Sequence, residues 1–268
     1  MDLASAFQTY SRLRDRCRAA VKGRDDVIDL VLTSLLADGH VLLEDYPGSG
    51  KTLLAKTLGD SIYDDIPGDD IASFRRVQFT PDLLPSDVTG TTVFDTATSQ
   101  FYFRRGPVFA YVLLADEINR TSPKVQSALL EAMAEKQVTV DNTTHKLDDL
   151  FFVVATQNPL DLAGTYPLPV AQLDRFLFKI RMTHVSREAE LDVLATAKDR
   201  RDGVPQSMAK VSRGDVMSAR KAIYDGVAVT PAVHESLVDI ARALRADRRV
   251  LQGASTRSLV LGLPALQS

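Results

Sequence analysis

The chain has one cysteine, no tryptophan, no excess of positive charge and no apolar run of membrane-spanning length. Each shortage excludes something. A lone thiol, Cys17, closes no intramolecular disulfide and builds no cysteine-rich metal site. It sits in Ser11-Arg12-Leu13-Arg14-Asp15-Arg16-Cys17-Arg18 and reads as a small packing residue on a helix. Among 268 residues, 32 basic and 35 acidic side chains leave a formal net charge of −3 and a pI near 5.8. That balance lacks the basic footprint usual for nucleic-acid binding. The four histidines, His40, His145, His184 and His234, are scattered without ligand spacing and read as packing or surface residues. The hydrolase signatures GxSxG and HExxH are missing. The N-terminus lacks the apolar core of a signal peptide, so a cytoplasmic protein is expected. Neither a repeat nor a low-complexity tract interrupts an ordinary globular composition, 45% hydrophobic and 25% charged.

What is present is organised around Glu44-Asp45-Tyr46-Pro47-Gly48-Ser49-Gly50-Lys51-Thr52. The apolar run His40-Val41-Leu42-Leu43 before it predicts a buried strand, and Leu53-Leu54-Ala55-Lys56-Thr57-Leu58 after it predicts a helix. Strand, glycine turn and helix give a phosphate loop its meaning. Gly48 and Gly50 let backbone N–H groups turn inward around a polyphosphate, and the positive end of the helix adds to the attraction. Lys51 is positioned for the β- and γ-phosphates and the Thr52 hydroxyl for Mg²⁺. Asp45 stands where the full pattern wants glycine, and aspartate tolerates unusual backbone angles better than most residues. The candidate binding set is Asp45, Pro47, Gly48, Ser49, Gly50, Lys51, Thr52 and Leu53.

The second landmark is Tyr111-Val112-Leu113-Leu114-Ala115-Asp116-Glu117, an apolar strand ending in two carboxylates. Parallel α/β sheets gather ligands at the carboxyl ends of their strands, which brings both acids to the phosphates. Asp116 suits the Mg²⁺ shell and Glu117 suits a general base for an attacking water. A third apolar strand, Phe151-Phe152-Val153-Val154-Ala155-Thr156, ends in Gln157-Asn158-Pro159. Asn158 is either a group that holds the attacking water or a turn-former before proline. Arg175 lies in a short helix expected at 171–176, just before a strand; it either pairs with Asp174 or another acid, or reaches a nucleotide held by another subunit.

Helices are expected at 3–20, 26–37, 123–134, 187–197, 212–224 and 231–245, with a last one opening near Gly253. Strands are expected at 74–79 and 177–182. Hairpins are expected over 91–104, whose aromatics are expected to pack rather than to form an exposed edge, and over 137–147 around Asp141-Asn142. The fold class is therefore α/β, a parallel sheet flanked by helices with inserted hairpins. From residue 186 strand texture gives way to helices. The expected division is an α/β nucleotide-binding domain at 1–185 and a small all-α lid at 186–268.

With phosphate loop, acidic pair and Asn158 in this order, the chain resembles an AAA+ P-loop ATPase, and more narrowly the MoxR family. The carrying stretches are Gln78-Phe79-Thr80-Pro81-Asp82-Leu83-Leu84-Pro85-Ser86-Asp87, Leu114-Ala115-Asp116-Glu117-Ile118-Asn119-Arg120, Gln126-Ser127-Ala128-Leu129-Leu130-Glu131-Ala132-Met133, Ala155-Thr156-Gln157-Asn158-Pro159 and Gly164-Thr165-Tyr166-Pro167-Leu168-Pro169 with Ala171-Gln172-Leu173-Asp174-Arg175-Phe176. The resemblance implies ATP and Mg²⁺ as ligands, with Lys51 and Thr52 on phosphate and metal and Asp116 and Glu117 as the Walker B pair. It also implies Asn158 as sensor 1, Arg175 as an arginine finger offered to a neighbouring copy, and Arg257 in Ser255-Thr256-Arg257 as the sensor-2 arginine of the lid. Such proteins form rings, usually hexamers, and act like chaperones on partner complexes, commonly with a von Willebrand factor A domain protein. Two other functions fit the same motifs: a nucleotide-dependent binding switch with little hydrolysis, and a motor stimulated by nucleic acid.

Overall fold

The computed structural model describes residues 2–44, 49–66, 71–158, 164–196, 204–250 and 253–268. Five parallel strands form the central sheet in the order β10-β1-β9-β6-β3. They are β1 (Val41–Glu44), β3 (Ala72–Gln78), β6 (Ala110–Asp116), β9 (Phe152–Gln157) and β10 (Phe178–Arg181). The inner three carry near-continuous apolar runs because both faces of the sheet are covered. Alternation assigns each side chain to one cover. Val41 and Leu43 of β1 and Phe152 and Val154 of β9 enter one apolar cluster with α1 (Leu3–Ala20), α2 (Asp25–Leu36) and α3 (Lys51–Asp60). Leu42 and Val153 point the other way, toward Leu129, Leu130 and Met133 of α5 (Pro123–Glu135). Ser122 is the N-cap of α5 and Pro123 its first residue, but the Ser122 side chain makes no capping hydrogen bond.

Both expected hairpins form outside the central sheet: β4 (Gly90–Asp95) with β5 (Gln100–Arg105), and β7 (Gln137–Val140) with β8 (Thr143–Lys146). Asp141 and Asn142 both have positive φ, the two-residue turn whose twist suits a hairpin. The aromatics of the first hairpin divide. Phe103 stacks on His145 of the second hairpin at 3.8 Å and meets Phe109 edge-on at 5.6 Å. Phe94 and Phe101 pair with each other at 5.0 Å near the tip, where Phe101 is 73% exposed. Packing therefore describes the base of this hairpin, and an exposed edge describes its tip.

After β10 come α7 (Arg187–Ala195), α8 (Arg213–Gly226), α9 (Pro231–Ala246) and α10 (Thr256–Gln267). Val216, Ala219 and Ile223 of α8 lie in the same apolar cluster as α1 and α2. A two-residue parallel pairing of β2 (Ile62–Tyr63) with β11 (Val211–Ser212), too short to carry a periodic pattern, leads into it. Ser212 then opens α8 with a capping box: its Oγ accepts from Asp215 N–H at 2.9 Å, and Asp215 accepts from Ser212 N–H at 3.0 Å. Among the described residues no helix is long and apolar enough to cross a membrane.

Candidate functional site

The carboxyl ends of β1, β9 and β6 lie side by side, and each delivers part of the site. Beyond β1, Asp45, Pro47 and Gly48 lie outside the described residues. Ser49 and Gly50 bring the chain into α3, with Gly50 at the N-cap in a left-handed conformation, φ +92°. A Cβ there would meet only Val21 Cγ1 at 3.8 Å, so the backbone angle rather than crowding calls for glycine. Lys51 and Thr52 are the first two residues of α3, at the positive end of its dipole. Leu53 is half-buried and packs against the cluster beneath.

Asp116 ends β6 and is nearly buried. Its Oδ1 accepts from Thr156 Oγ1 at 2.6 Å, and Thr156 Oγ1 in turn accepts from Glu117 N–H at 2.9 Å. Its Oδ2 accepts from Arg76 through Nη2 at 2.7 Å and Nε at 3.2 Å. Glu117 follows with φ +58° and ψ +49°, a conformation that costs a non-glycine residue about 1–2 kcal/mol. The surrounding bonds hold it there. Gln78 Nε2 donates to Glu117 Oε2 at 2.7 Å, and Arg120 Nε stands 3.1 Å from the same oxygen. Both come from the elements flanking the acid: β3, whose Gln78 pairs with Asp116, and the turn at Ile118–Arg120.

Asn158 follows β9, the strand between β1 and β6, and its carbonyl accepts from Asn119 Nδ2 at 3.4 Å. One residue earlier, Gln157 Nε2 donates to Glu44 Oε1 at 2.7 Å, with Lys179 Nζ on the same oxygen at 3.0 Å. Burial works against the Glu44 charge, but Lys179 and Gln157 outweigh it and hold the carboxyl below its usual range. Strands β1, β9 and β10 are thus cross-tied at the end of β1.

Arg175 and Arg257 do not join this group. Arg175, just past α6 (Val170–Leu173), donates to the Leu130 carbonyl of α5 rather than to Asp174. Arg257 is exposed in the first turn of α10, where neighbouring Ser258 donates to Asp174 Oδ1 at 3.2 Å. The two arginines therefore sit on segments that touch each other.

Sequence reasoning missed Arg76, Gln78, Arg120 and Thr156. The signal available for the first two was alternation: Arg76 and Gln78 share a face at the end of an edge strand. Also missed was a cleft of about 310 Å³ whose lining includes Arg18, Val21, Lys22, Gly23 and Asp25. Val21 borders Gly50, while a Cβ on Gly23 would strike Ala189 Cβ at 2.5 Å. The segment 21–23 thus runs between the phosphate loop and α7, and no motif marks it.

The donor set suits a magnesium nucleotide. Ser49 Oγ is buried in the loop without a hydrogen-bond partner, an orphan that a phosphate oxygen would satisfy. The Asp116 carboxylate is an oxygen donor fit for a hydrated cation, with the Arg76 guanidinium as its counter-charge at Oδ2.

The sequence profile of the ATPase family associated with various cellular activities (AAA) matches residues 40–178. The chain is 46% identical over 246 residues to YeaC of Bacillus subtilis, a protein named as uncharacterized, covering 92% of this chain and 74% of that one. It is 40% identical over 250 residues to the chaperone MoxR1 of Mycobacterium tuberculosis, covering 92% of this chain and 62% of the relative. A crystal structure of a Cytophaga hutchinsonii protein assigned as an ATPase superposes with a TM-score of 0.83 at 37% identity, over 98% of this chain and 81% of that one.

Proposed function

Since the chain belongs to the MoxR family of AAA+ ATPases, we propose that it binds ATP with Mg²⁺, hydrolyses it between copies of itself in a ring, and uses the resulting motion to remodel partner protein complexes. The observation that carries this reading is the meeting of three strand ends, with Lys51 and Thr52 beyond β1, Asn158 beyond β9 and Asp116-Glu117 at the end of β6.

In this reading Lys51 and the N–H groups of the loop bind the β- and γ-phosphates, and Thr52 and Asp116 hold the metal shell. Val21 borders Gly50 and lines the neighbouring cleft. Magnesium, when bound, neutralises charge on the phosphate oxygens. Glu117 accepts the proton of the attacking water, oriented with the help of the Asn158 side chain. Gln78 and Arg120 hold the Glu117 carboxylate through Oε2, so catalysis requires that grip to be loosened or shared. Arg175, tied within its own chain to Leu130, acts on the γ-phosphate bound by a neighbour, and Arg257 closes from the lid. A finger supplied in trans is worth on the order of 10³–10⁵ in rate, which makes assembly a condition of turnover. Clients are protein complexes, and a von Willebrand factor A domain protein is the expected partner.

The test is complementation. Glu117→Gln should bind ATP and lose turnover, and Arg175→Ala should lose turnover as well. Mixed, they should regain activity, because some interfaces then join an intact Glu117 to an intact Arg175. Folded variants that stay inactive on mixing, or a wild-type monomer with full turnover, would overturn the assignment in trans.

A further inference from the structure

We propose that Arg76 is an internal counter-charge that competes with Mg²⁺ for Asp116 and passes the outcome to Glu117 through Gln78. The proposal rests on reading the site as a magnesium–nucleotide site.

Arg76 and Gln78 are two residues apart on β3, so their side chains leave the same face of the edge strand. Gln78 pairs with Asp116, and Arg76 reaches along the sheet to the same carboxylate. The Asp116 side chain is 12% exposed and that of Arg76 47% exposed. A carboxylate this buried is costly without a partner charge. Thr156 satisfies Oδ1, and Arg76 covers Oδ2 with two donors. A cation held through Asp116 repels the guanidinium, so Arg76 must give up Oδ2 when the metal shell forms. Its half-exposed stem lets it swing into solvent at little cost.

The consequence reaches the base. Arg76 Nη2 also donates to Gln78 Oε1 at 2.9 Å. Because a guanidinium only donates, it fixes which end of the Gln78 amide faces it and turns the NH₂ toward Glu117 Oε2, 2.7 Å away. When Arg76 withdraws, Gln78 loses the bond that sets its orientation, and its hold on Glu117 weakens. Arg76 is thus a positioning residue that keeps Glu117 engaged until the metal shell is in place.

Competition sets the sign of the effect. Removing Arg76 should make nucleotide binding more responsive to Mg²⁺. The measurement is the affinity for a fluorescent ADP analogue in saturating Mg²⁺ divided by that in EDTA. For Arg76→Met this ratio should exceed the wild-type ratio by about fivefold or more, the lower end of common coupling between sites. The metal-free thermal midpoint should fall at the same time, since Asp116 is left uncompensated. Arg76→Lys, which keeps the charge with fewer donors, should give an intermediate ratio and serves if Arg76→Met fails to fold. An unchanged or smaller ratio in a folded variant overturns the role of Arg76 alone. A wild-type protein that binds ADP no better with Mg²⁺ than in EDTA overturns the magnesium–nucleotide reading itself.

Discussion

Burial pushes the His40 imidazole down to about 4, against the ordinary 6.5. Its Nδ1 accepts from Val153 N–H at 3.1 Å and its Nε2 faces the Met133 carbonyl at 3.3 Å, an arrangement that suits the neutral ring with the proton on Nε2. Asp38 pulls upward and Lys136 and Arg220 downward, but desolvation dominates. The depressed value means the unfolded chain takes up a proton that the folded chain refuses. Stability is therefore fully present above pH 6.5 and drains away as pH falls toward 4, by roughly 3 kcal/mol from this residue. Urea unfolding at pH 7.5 and pH 5 should show about 2 kcal/mol of that loss, and His40→Gln should flatten the slope between them. An identical slope would remove His40 as its source. Cys17, also buried, has its thiol pushed up to about 12 by desolvation. Alkylation by iodoacetamide at pH 8 should be slow in the native protein and fast in urea, as expected of a packing residue rather than a reactive thiol.

At the scale of elements, the joint between the site and the segment bearing Arg175 is Gln126 on α5. Its buried Nε2 lies 3.1 Å from the Ile118 carbonyl, 3.3 Å from that of Thr121 and 2.9 Å from that of Tyr166. The first two belong to the turn after Glu117, and the third to the loop leading into α6. Replacing Gln126 by Leu leaves buried carbonyls without a donor, at about 1–3 kcal/mol each. Denaturation should register a loss of at least about 2 kcal/mol, and a neutral substitution would mean that ordered water already serves those carbonyls. Gln126 also marks where sequence reasoning stopped. Helix α5 was expected at 123–134, yet nothing local said that a glutamine on its buried stripe would bind the turn after Glu117 and a loop 40 residues away. The strands β1, β6 and β9 were legible because two covered faces demand unbroken apolar runs. The gathering of Lys51, Asp116 and Asn158 was legible because strand ends in a parallel sheet share one edge. Arg76 was not, because its role depends on which strand lies beside β6, and strand order is not written in periodicity. The β2–β11 pairing was hidden for the same reason.

Across the whole molecule, the question is which part of the C-terminal region can move against the sheet. The change of texture at residue 186 marks the expected lid at 186–268, and within it α8 is firmly fastened. Arg213 binds Asp148 at 2.9 Å with both side chains largely buried. Arg220 donates to the Leu35 carbonyl at 2.8 Å, to Asp38 at 2.6 Å and to the Asp149 carbonyl at 2.9 Å. Lys136 meets the same Asp38 and Asp149 from the end of α5. The apolar face of α8 lies in the cluster that α1 and α2 share with the sheet. By contrast, α9 buries only Ala241 and α10 buries no residue, though Ser258 reaches Asp174 next to Arg175. Moving α8 would expose apolar surface and strand charged donors, whereas moving α9 and α10 disturbs only half-buried contacts of α10 with α2 and α8 and a few hydrogen bonds. Nucleotide-driven motion should therefore be confined to α9 and α10, with the hinge after Gly226. Hydrogen exchange with and without a non-cleavable ATP analogue should show protection changing in α9 and α10 while α8 keeps the slow exchange of the sheet. Arg220→Met should speed exchange in α8 and lower stability by about 1.5–3 kcal/mol, because the Leu35 carbonyl, Asp38 and the Asp149 carbonyl lose a charged donor. If α8 instead changes protection together with α9 and α10, the lid moves as one body from residue 186, and the Arg213 and Arg220 contacts must break and re-form in each cycle.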